Sequence, residues 1–462
     1  MATTFTATRE RPTSTEATAE PPVARTRKQG HVGRIVAGSL IGGFVASVFV
    51  VAVPLAGRTE CVITGSVLLT FAAAWFALAT LSQRRTDEPQ RWALAPATFM
   101  AVAGAVVLVL GPTGNEMGWV WPPAVIALAA WMAVRARRDL HSRTRVWIVY
   151  PVCLALALSA IGGAYETYRE STDSFPMTGR LIDVGGHKLH IDCTGTGSPT
   201  VVLEPGLGEP AAAMAWIAPA VAKTTRVCVY DRAGRGWSES AGRPQDGVEV
   251  ATDLRNLLTG AGERGPFVLA GHSAGGIYVL NFANLFPRDV AGVVLLDSMH
   301  PRQYTRIASW PAFYEMFRRA SAVLPSLSRF GIGRALYASA YGDLPAPARD
   351  EERAFWATPR HSRSVRDEFS EIRTAMAEAR TLTTLGNRPL VVLTAEKGAE
   401  GGWTEAQDEL AALSTNSVHR MLPNASHSML TEDEHTAAQS SRAITDVVNA
   451  ARTNTRLTET AA

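Results

Sequence analysis

The stretch Gly271-His272-Ser273-Ala274-Gly275-Gly276 decides how the chain folds. Before it runs an apolar segment, Pro266-Phe267-Val268-Leu269-Ala270, and after it comes a helix-like run at 277–286. Strand, tight turn, helix is the setting in which G-x-S-x-G carries chemical meaning. Such a turn strains the serine backbone and lifts its Oγ clear of the end of the sheet. Gly271 and Gly275, two before and two after, let the neighbouring backbones pass closely. The helix that starts here aims its unpaired N–H groups at the same spot. The competing reading is a glycine-rich turn with an ordinary serine. The flanking pattern and the partners found elsewhere in the chain favour Ser273 as a nucleophile.

Outward from this point the texture is one of alternating strands and helices. Strands are expected at 181–184, 187–193, 200–203, 226–230, 267–270, 292–296, 389–394 and 418–422, with helices at 248–258 and 432–451. Continuous apolar runs such as 292–296 suit buried parallel strands. This order predicts an α/β fold: a mostly parallel sheet with helices on both faces and a site at the strand C-terminal ends. Between 301 and 385 the strand pattern stops. That segment is helical, mixed and rich in aromatics, and reads as a lid inserted over the active end of the sheet.

Ser273 needs a base. His427, in Pro423-Asn424-Ala425-Ser426-His427, follows a strand and precedes the last helix, so it belongs in a loop at the same end as the turn. A neutral imidazole there accepts the Oγ proton and returns it to the leaving group. An acid must orient that imidazole, and two placements keep the order serine, acid, histidine. Asp297 directly follows the strand 292–296, whereas Glu396 and Glu400 lie in the glycine-rich loop after 389–394. Asp297 is preferred because the strand end holds it, and the two glutamates stay as alternatives. The oxyanion hole needs two N–H donors. Ala274 supplies one, and Leu207, in Glu204-Pro205-Gly206-Leu207-Gly208, the other. Asp231 and Arg232 are read as a structural pair bracing the loop that follows the strand 226–230. No Cys/His cluster has metal-ligand spacing, and no cofactor is expected.

The first part of this 462-residue chain differs in kind. Residues 1–31, rich in Thr, Ala, Pro and Arg, read as a disordered tail. Five apolar stretches follow at 35–56, 62–81, 94–111, 120–134 and 146–164. Most approach the roughly 20 residues that cross a bilayer core. Trp92, Trp119, Trp121 and Trp147 mark their ends, as in an interfacial belt. Basic loops alternate with nearly uncharged ones: Arg25, Arg27, Lys28 and Arg34, then Arg58 alone, then Arg84, Arg85 and Arg91, then none, then Arg135, Arg137, Arg138, Arg143 and Arg145. By the positive-inside rule the N-terminus is cytoplasmic, and everything after the fifth span lies outside. The bundle, taken as residues 32–168, is most simply an anchor in a lipid bilayer. The soluble part spans 179–452 and a tail 453–462. Net charge is only +3, and no nucleic-acid partner is expected. Four Cys are too few for a disulfide scaffold. Cys193 and Cys228 lie near the ends of two early strands, where an oxidising compartment permits a bond if the strands are neighbours.

Residues 179–452 resemble the α/β-hydrolase superfamily. The matching pieces are Gly271–Gly276, Tyr230-Asp231-Arg232-Ala233-Gly234-Arg235-Gly236-Trp237-Ser238, Asn424-Ala425-Ser426-His427 and the lid after the sixth strand. The resemblance implies that the strands bearing Cys193 and Cys228 are adjacent, which supports a disulfide. It also favours Asp297: where many members place an aspartate after strand seven this chain has Gly398, and some lipase-like members use an acid after strand six. Where many members carry His-Gly in the first oxyanion loop, Pro205-Gly206 stands instead. A serine nucleophile argues against the dehalogenase and epoxide-hydrolase chemistry of the superfamily. The expectation is a serine hydrolase acting on an ester of a small molecule or lipid. A peptidase of the same fold, or a non-catalytic membrane-tethered binding protein, is the alternative.

Overall fold

The apolar runs bounded by glycine form the strands of one eight-stranded sheet. The computed structural model describes residues 3–4, 32–53, 59–86, 88–111, 116–140, 143–173 and 175–458. The expected disordered tail, apart from residues 3–4, the loop with Arg58 and residues 459–462 lie outside the described residues. The strands are β1 (Arg180–Asp183), β2 (Lys188–Thr194), β3 (Val201–Glu204), β4 (Val227–Tyr230), β5 (Phe267–His272), β6 (Val290–Leu296), β7 (Leu390–Lys397) and β8 (Ser417–Ser426). Their order is β1-β2-β4-β3-β5-β6-β7-β8. From β4 to β8 all neighbours are parallel, while β1 and β2 pair antiparallel and β2 pairs antiparallel with β4. Cys193 and Cys228 face each other in the β2–β4 register and are joined by a disulfide.

Helices α6 (Ile217–Ala222), α7 (Gly247–Gly260), α8 (Gly275–Leu285), α15 (Trp403–Ala411), α16 (Met429–Glu432) and α17 (Glu434–Thr453) belong to the same domain. The central strands β3 and β5 are buried throughout, as parallel strands covered on both faces must be. One face packs on α7, α8 and the lid, and the other on α6 and α17. The expected closing helix at 432–451 is broken at Asp433. That residue is extended, and its side chain accepts from Thr436 N–H at 2.8 Å, so it caps α17 instead of continuing α16. Asp246 caps α7 in the same way through Glu249 N–H.

The lid between β6 and β7 consists of α9 (Gln303–Arg306), α10 (Trp310–Ser321), α11 (Leu324–Ser328), α12 (Ile332–Tyr337), α13 (Ala346–Ala357) and α14 (Pro359–Ala379). Much of its aromatic content is packing. Tyr314 and Phe317 of α10 lie against Phe369 of α14, with ring centroids 5.2 and 4.5 Å apart.

Five helices long and apolar enough to cross a membrane precede the sheet: α1 (Val32–Ala52), α2 (Glu60–Arg85), α3 (Leu94–Leu110), α4 (Glu116–Asp139) and α5 (Arg143–Thr172). α2, α4 and α5 overrun their apolar stretches at both ends, α1 begins ahead of its stretch, and α3 matches its own to within a residue. Backbone bonding, not apolarity, sets where a helix stops, so α5 carries Glu166 and Glu170 beyond the hydrophobic segment. Their outer faces expose Ile41, Phe44, Phe49, Val102, Val109, Leu154 and Leu158, a pattern that water penalises and lipid does not.

The lid is clasped to these helices. Glu60 at the start of α2 is buried and pairs with Arg329 and Arg363, the latter at 3.2 Å. Arg334 of α12 grips buried Glu166 of α5 with two bonds of 2.8 and 3.0 Å and reaches Asp173 at 3.1 Å. Trp121 of α4 meets Phe330 edge-on at 5.3 Å. At Gly162 a Cβ would stand 2.2 Å from the Phe330 carbonyl oxygen, so only glycine permits this backbone-to-backbone approach.

Phe369 is almost fully buried and joins the lid to the sheet domain. Phe369→Ala should destabilise the protein by about 3–5 kcal/mol and expose 301–385 to limited proteolysis before the rest of the sheet domain.

Candidate active site

β5 runs through Gly271 and His272, beyond the expected end at Ala270, and stops at Ser273. Ser273 has φ 53°, a left-handed conformation uncommon for a residue with a side chain. Its N–H donates to Leu296 O at 3.0 Å, and its carbonyl accepts from Met299 N–H at 2.9 Å. The turn closes because its neighbours lack side chains. A Cβ on Gly271 would lie 2.7 Å from the Gly275 backbone, and one on Gly275 would lie 2.3 Å from Glu204 O.

Asp297 follows β6 as Ser273 follows β5, also with positive φ (42°), and its N–H donates to Leu393 O at 2.7 Å. β8 extends to Ser426, through what the sequence suggested was a loop, and delivers His427 directly beyond it. His427 Nδ1 lies 2.6 Å from Asp297 Oδ2. The other carboxylate oxygen, Oδ1, accepts from Trp403 Nε1–H at 2.7 Å and from Ala395 N–H at 3.2 Å. Asp297 is buried, while the His427 ring is half exposed. The two alternative acids stand elsewhere. Glu396 is part of β7 and exposed, not in a loose loop, and Glu400 is exposed and bonds Ser309.

The loop after β3 is held on both sides. Gly206 N–H donates to Glu209 Oε2 at 2.6 Å, and Gly208 N–H to Glu368 Oε2 at 2.9 Å. Among the described residues, the Leu207 N–H between them and the Ala274 N–H have no acceptor. The expected Asp231–Arg232 pair does not form. Asp231 bonds His190 Nδ1 at 2.8 Å and accepts from Ala211 and Trp237 N–H. Arg232 turns the other way, onto Glu204, Glu368 and the carbonyls of Pro205 and Gly206. Each neighbouring residue therefore finds its own buried counter-group. Burial pushes the Glu368 carboxyl up, but Arg232 and Arg235 beside it outweigh this and hold it below the usual range. Glu368 comes from lid helix α14, so the lid braces the loop beneath it.

Sequence reasoning missed Glu368, Trp403 and Glu209, because none of them stands in a motif. It also left out a second pair. His272 is buried with Nδ1 3.3 Å from Glu209 Oε2 and Nε2 3.2 Å from the His427 carbonyl oxygen. Its ring lies on that of His427, centroids 4.7 Å apart. Both of its nitrogens face pure acceptors, so only the imidazolium donates to both. Burial pulls the His272 pKa down, but the charge and bond of Glu209 raise it above the ordinary value. Glu209 is pushed up by burial and brought below its ordinary value by His272. Nearby Glu432 is driven up to about 7 by burial and by the charge of Glu209.

The sequence signature of the alpha/beta hydrolase family matches residues 201–439, which hold the Ser273 turn, the lid and His427. The chain belongs to the alpha/beta hydrolase family. An uncharacterized protein of Bacillus subtilis (strain 168), YbdG, is 31% identical to this hydrolase over 171 residues, 36% of this chain and 53% of that one. An uncharacterized Schizosaccharomyces pombe protein is 27% identical over 230 residues, 47% of this chain and 41% of that one. The hydrolase thus spans about half the length of these relatives. The Cif epoxide hydrolase of Acinetobacter nosocomialis superposes with a TM-score of 0.50 at 15% identity, covering 61% of this chain and 95% of that one, a likeness of fold alone.

The Glu209–His272 pair has a defined pH window. The His272 contribution is complete below its unfolded pKa and is lost as pH rises through the raised folded value. That of Glu209 is complete above its unfolded pKa and is lost as pH falls through the lowered one. In thermal unfolding of Glu209→Gln, His272→Gln and the double variant, the coupling energy should be about 2 kcal/mol near pH 5–6 and fade towards alkaline pH.

Proposed function

We propose that this protein is a membrane-anchored serine hydrolase that cleaves an ester through an acyl-enzyme. Ser273 Oγ attacks the carbonyl carbon while His427 Nε2 takes its proton, and Asp297 holds Nδ1–H and stabilises the imidazolium. The oxyanion is met by the N–H groups of Ala274 and Leu207. On collapse, the bond to the alcohol oxygen breaks and His427 protonates the leaving alcohol. Water, deprotonated by His427, then attacks the acyl carbon and releases the acid and Ser273. The observation that carries this reading is that the strained Ser273 turn, the 2.6 Å His427–Asp297 contact and the open N–H groups of Ala274 and Leu207 all lie just past the C-terminal ends of the strands.

The membrane part of the proposal is five spans in a cell membrane, the N-terminus cytoplasmic and the hydrolase domain outside. The Arg-rich loops on one side support it, as does a disulfide on the other, since such bonds persist in oxidising compartments. A small-molecule or lipid-like acyl ester suits a site held close to a bilayer. The domain limits proposed are 32–168 for the spans and 179–452 for the hydrolase.

A fluorophosphonate probe should label the wild type in membranes and leave Ser273→Ala unlabelled; equal labelling of the variant would end the mechanism. Asp297→Asn should lower kcat by about ten-thousandfold, while Glu400→Gln keeps wild-type turnover. A reporter active only in the cytoplasm should be silent when fused at Ala462.

A further inference from the structure

Lid helix α12 has three faces. Gly333 packs against the Ala357 carbonyl, and Tyr337 lies on Trp356, so one face is turned into the lid. Arg334 is turned to α5, where it holds Glu166 and Asp173. The third face and the turn after it present Ile332, Ala335, Leu336, Ala338 and Ser339, all exposed and none charged. Leu336 is 58% exposed and Ile332 39%, one helical turn apart. The sheet domain and lid expose other large apolar side chains, Phe313 and Met316 of α10 and Leu285 of α8 among them, and α12 is set apart by carrying its two on a charge-free face beside α5.

The surface beside it supplies the reason. On α5 the exposed residues Leu154, Leu158, Ile161, Tyr165 and Tyr168 recur at steps of three and four and form one stripe. The stripe is aliphatic within the apolar segment and ends in two tyrosines, as a helix does where it leaves hydrocarbon for the headgroup layer. Glu166, the residue Arg334 grips, lies between those tyrosines and two positions past the apolar stretch, about 3 Å of helix rise. The clasp therefore sets α12 near the depth of Tyr165 and Tyr168.

We infer that α12 is seated in the interfacial layer of the bilayer, with Ile332 and Leu336 inserted between lipid headgroups, so that a lipid ester approaches Ser273 from the membrane along the lid. This rests on the membrane reading above and narrows its substrate to an amphiphile held in the outer leaflet. The contact path to the site is short. α12 packs on α13, and Trp356 of α13 closes on Gly208, where a Cβ would stand 2.5 Å from its ring. Gly208 belongs to the loop that carries the Leu207 donor.

The test uses the full chain in phosphatidylcholine vesicles, with Cys61→Ser and Cys153→Ser as background. An environment-sensitive fluorophore is placed at Leu336→Cys, and at Ile332→Cys as a second site. A lipid with a nitroxide near its headgroup is the quencher. Ile161→Cys in the α5 stripe is the membrane reference. Leu285→Cys, at the far end of α8 from Ser273 and comparably exposed, is the water reference. Quenching at positions 336 and 332 severalfold above that at 285 and close to that at 161 is the expected result. Quenching at 161 with positions 336 and 332 no better than 285 overturns the seating of α12 and leaves the membrane reading intact. No quenching at 161 overturns the membrane reading and this inference with it.

Discussion

One backbone bond, from Ser273 N–H to the Leu296 carbonyl, holds the proposed chemistry in place. It extends the parallel β5–β6 ladder by one residue into a turn that no residue with a side chain at position 271 or 275 could enter. Asp297 repeats the arrangement on the next pair through Leu393. Adjacent strands lie about 4.8 Å apart, so two residues just past two neighbouring strand ends are close without any side chain being asked to search. His427 then arrives from β8 and spans β7 to meet Asp297.

Polar burial does the rest of the positioning. Asp297 has both oxygens occupied, one by His427 and the other by Trp403 and Ala395 N–H, so the carboxylate cannot turn away. The loop after β3 is tied by Arg232 from the loop after β4, Glu368 from the lid and Glu209 from its own segment. These ties take the N–H groups on either side of Leu207 and leave that one open. Removing one partner from such a network strands a buried charge, which is why buried ion pairs specify geometry more than they add stability.

The same principle operates where the lid meets the apolar helices. Glu60 and Glu166 sit near the ends of apolar helices that face the lid, and each is buried against an arginine of the lid. The cover of the site is thereby part of the docking surface for the helical bundle. A lid fixed in this manner has its outward face set relative to the helix ends, not free to choose its own depth.

Local pattern made much of this legible. Strand and helix periodicity, the Gly271–Gly276 turn, the five apolar stretches and the position of His427 after a strand are all short-range signals, because each depends on neighbouring residues in one element. The acid was less legible: Asp297, Glu396 and Glu400 all satisfy the chain order. Only the register of β6, β7 and β8 places one of them against His427. Three strands run past Ala270, Thr394 and Leu422 because ladder bonds to a neighbour continue beyond the apolar residues that announce a strand. The partners of Arg232, His272 and Glu60 lie from tens to hundreds of residues away in the chain. Sequence alone therefore determined the fold class and the nucleophile and base candidates, whose signatures are local. Tertiary structure alone decided which charges meet, since a buried charge takes whichever counter-group folding brings to it.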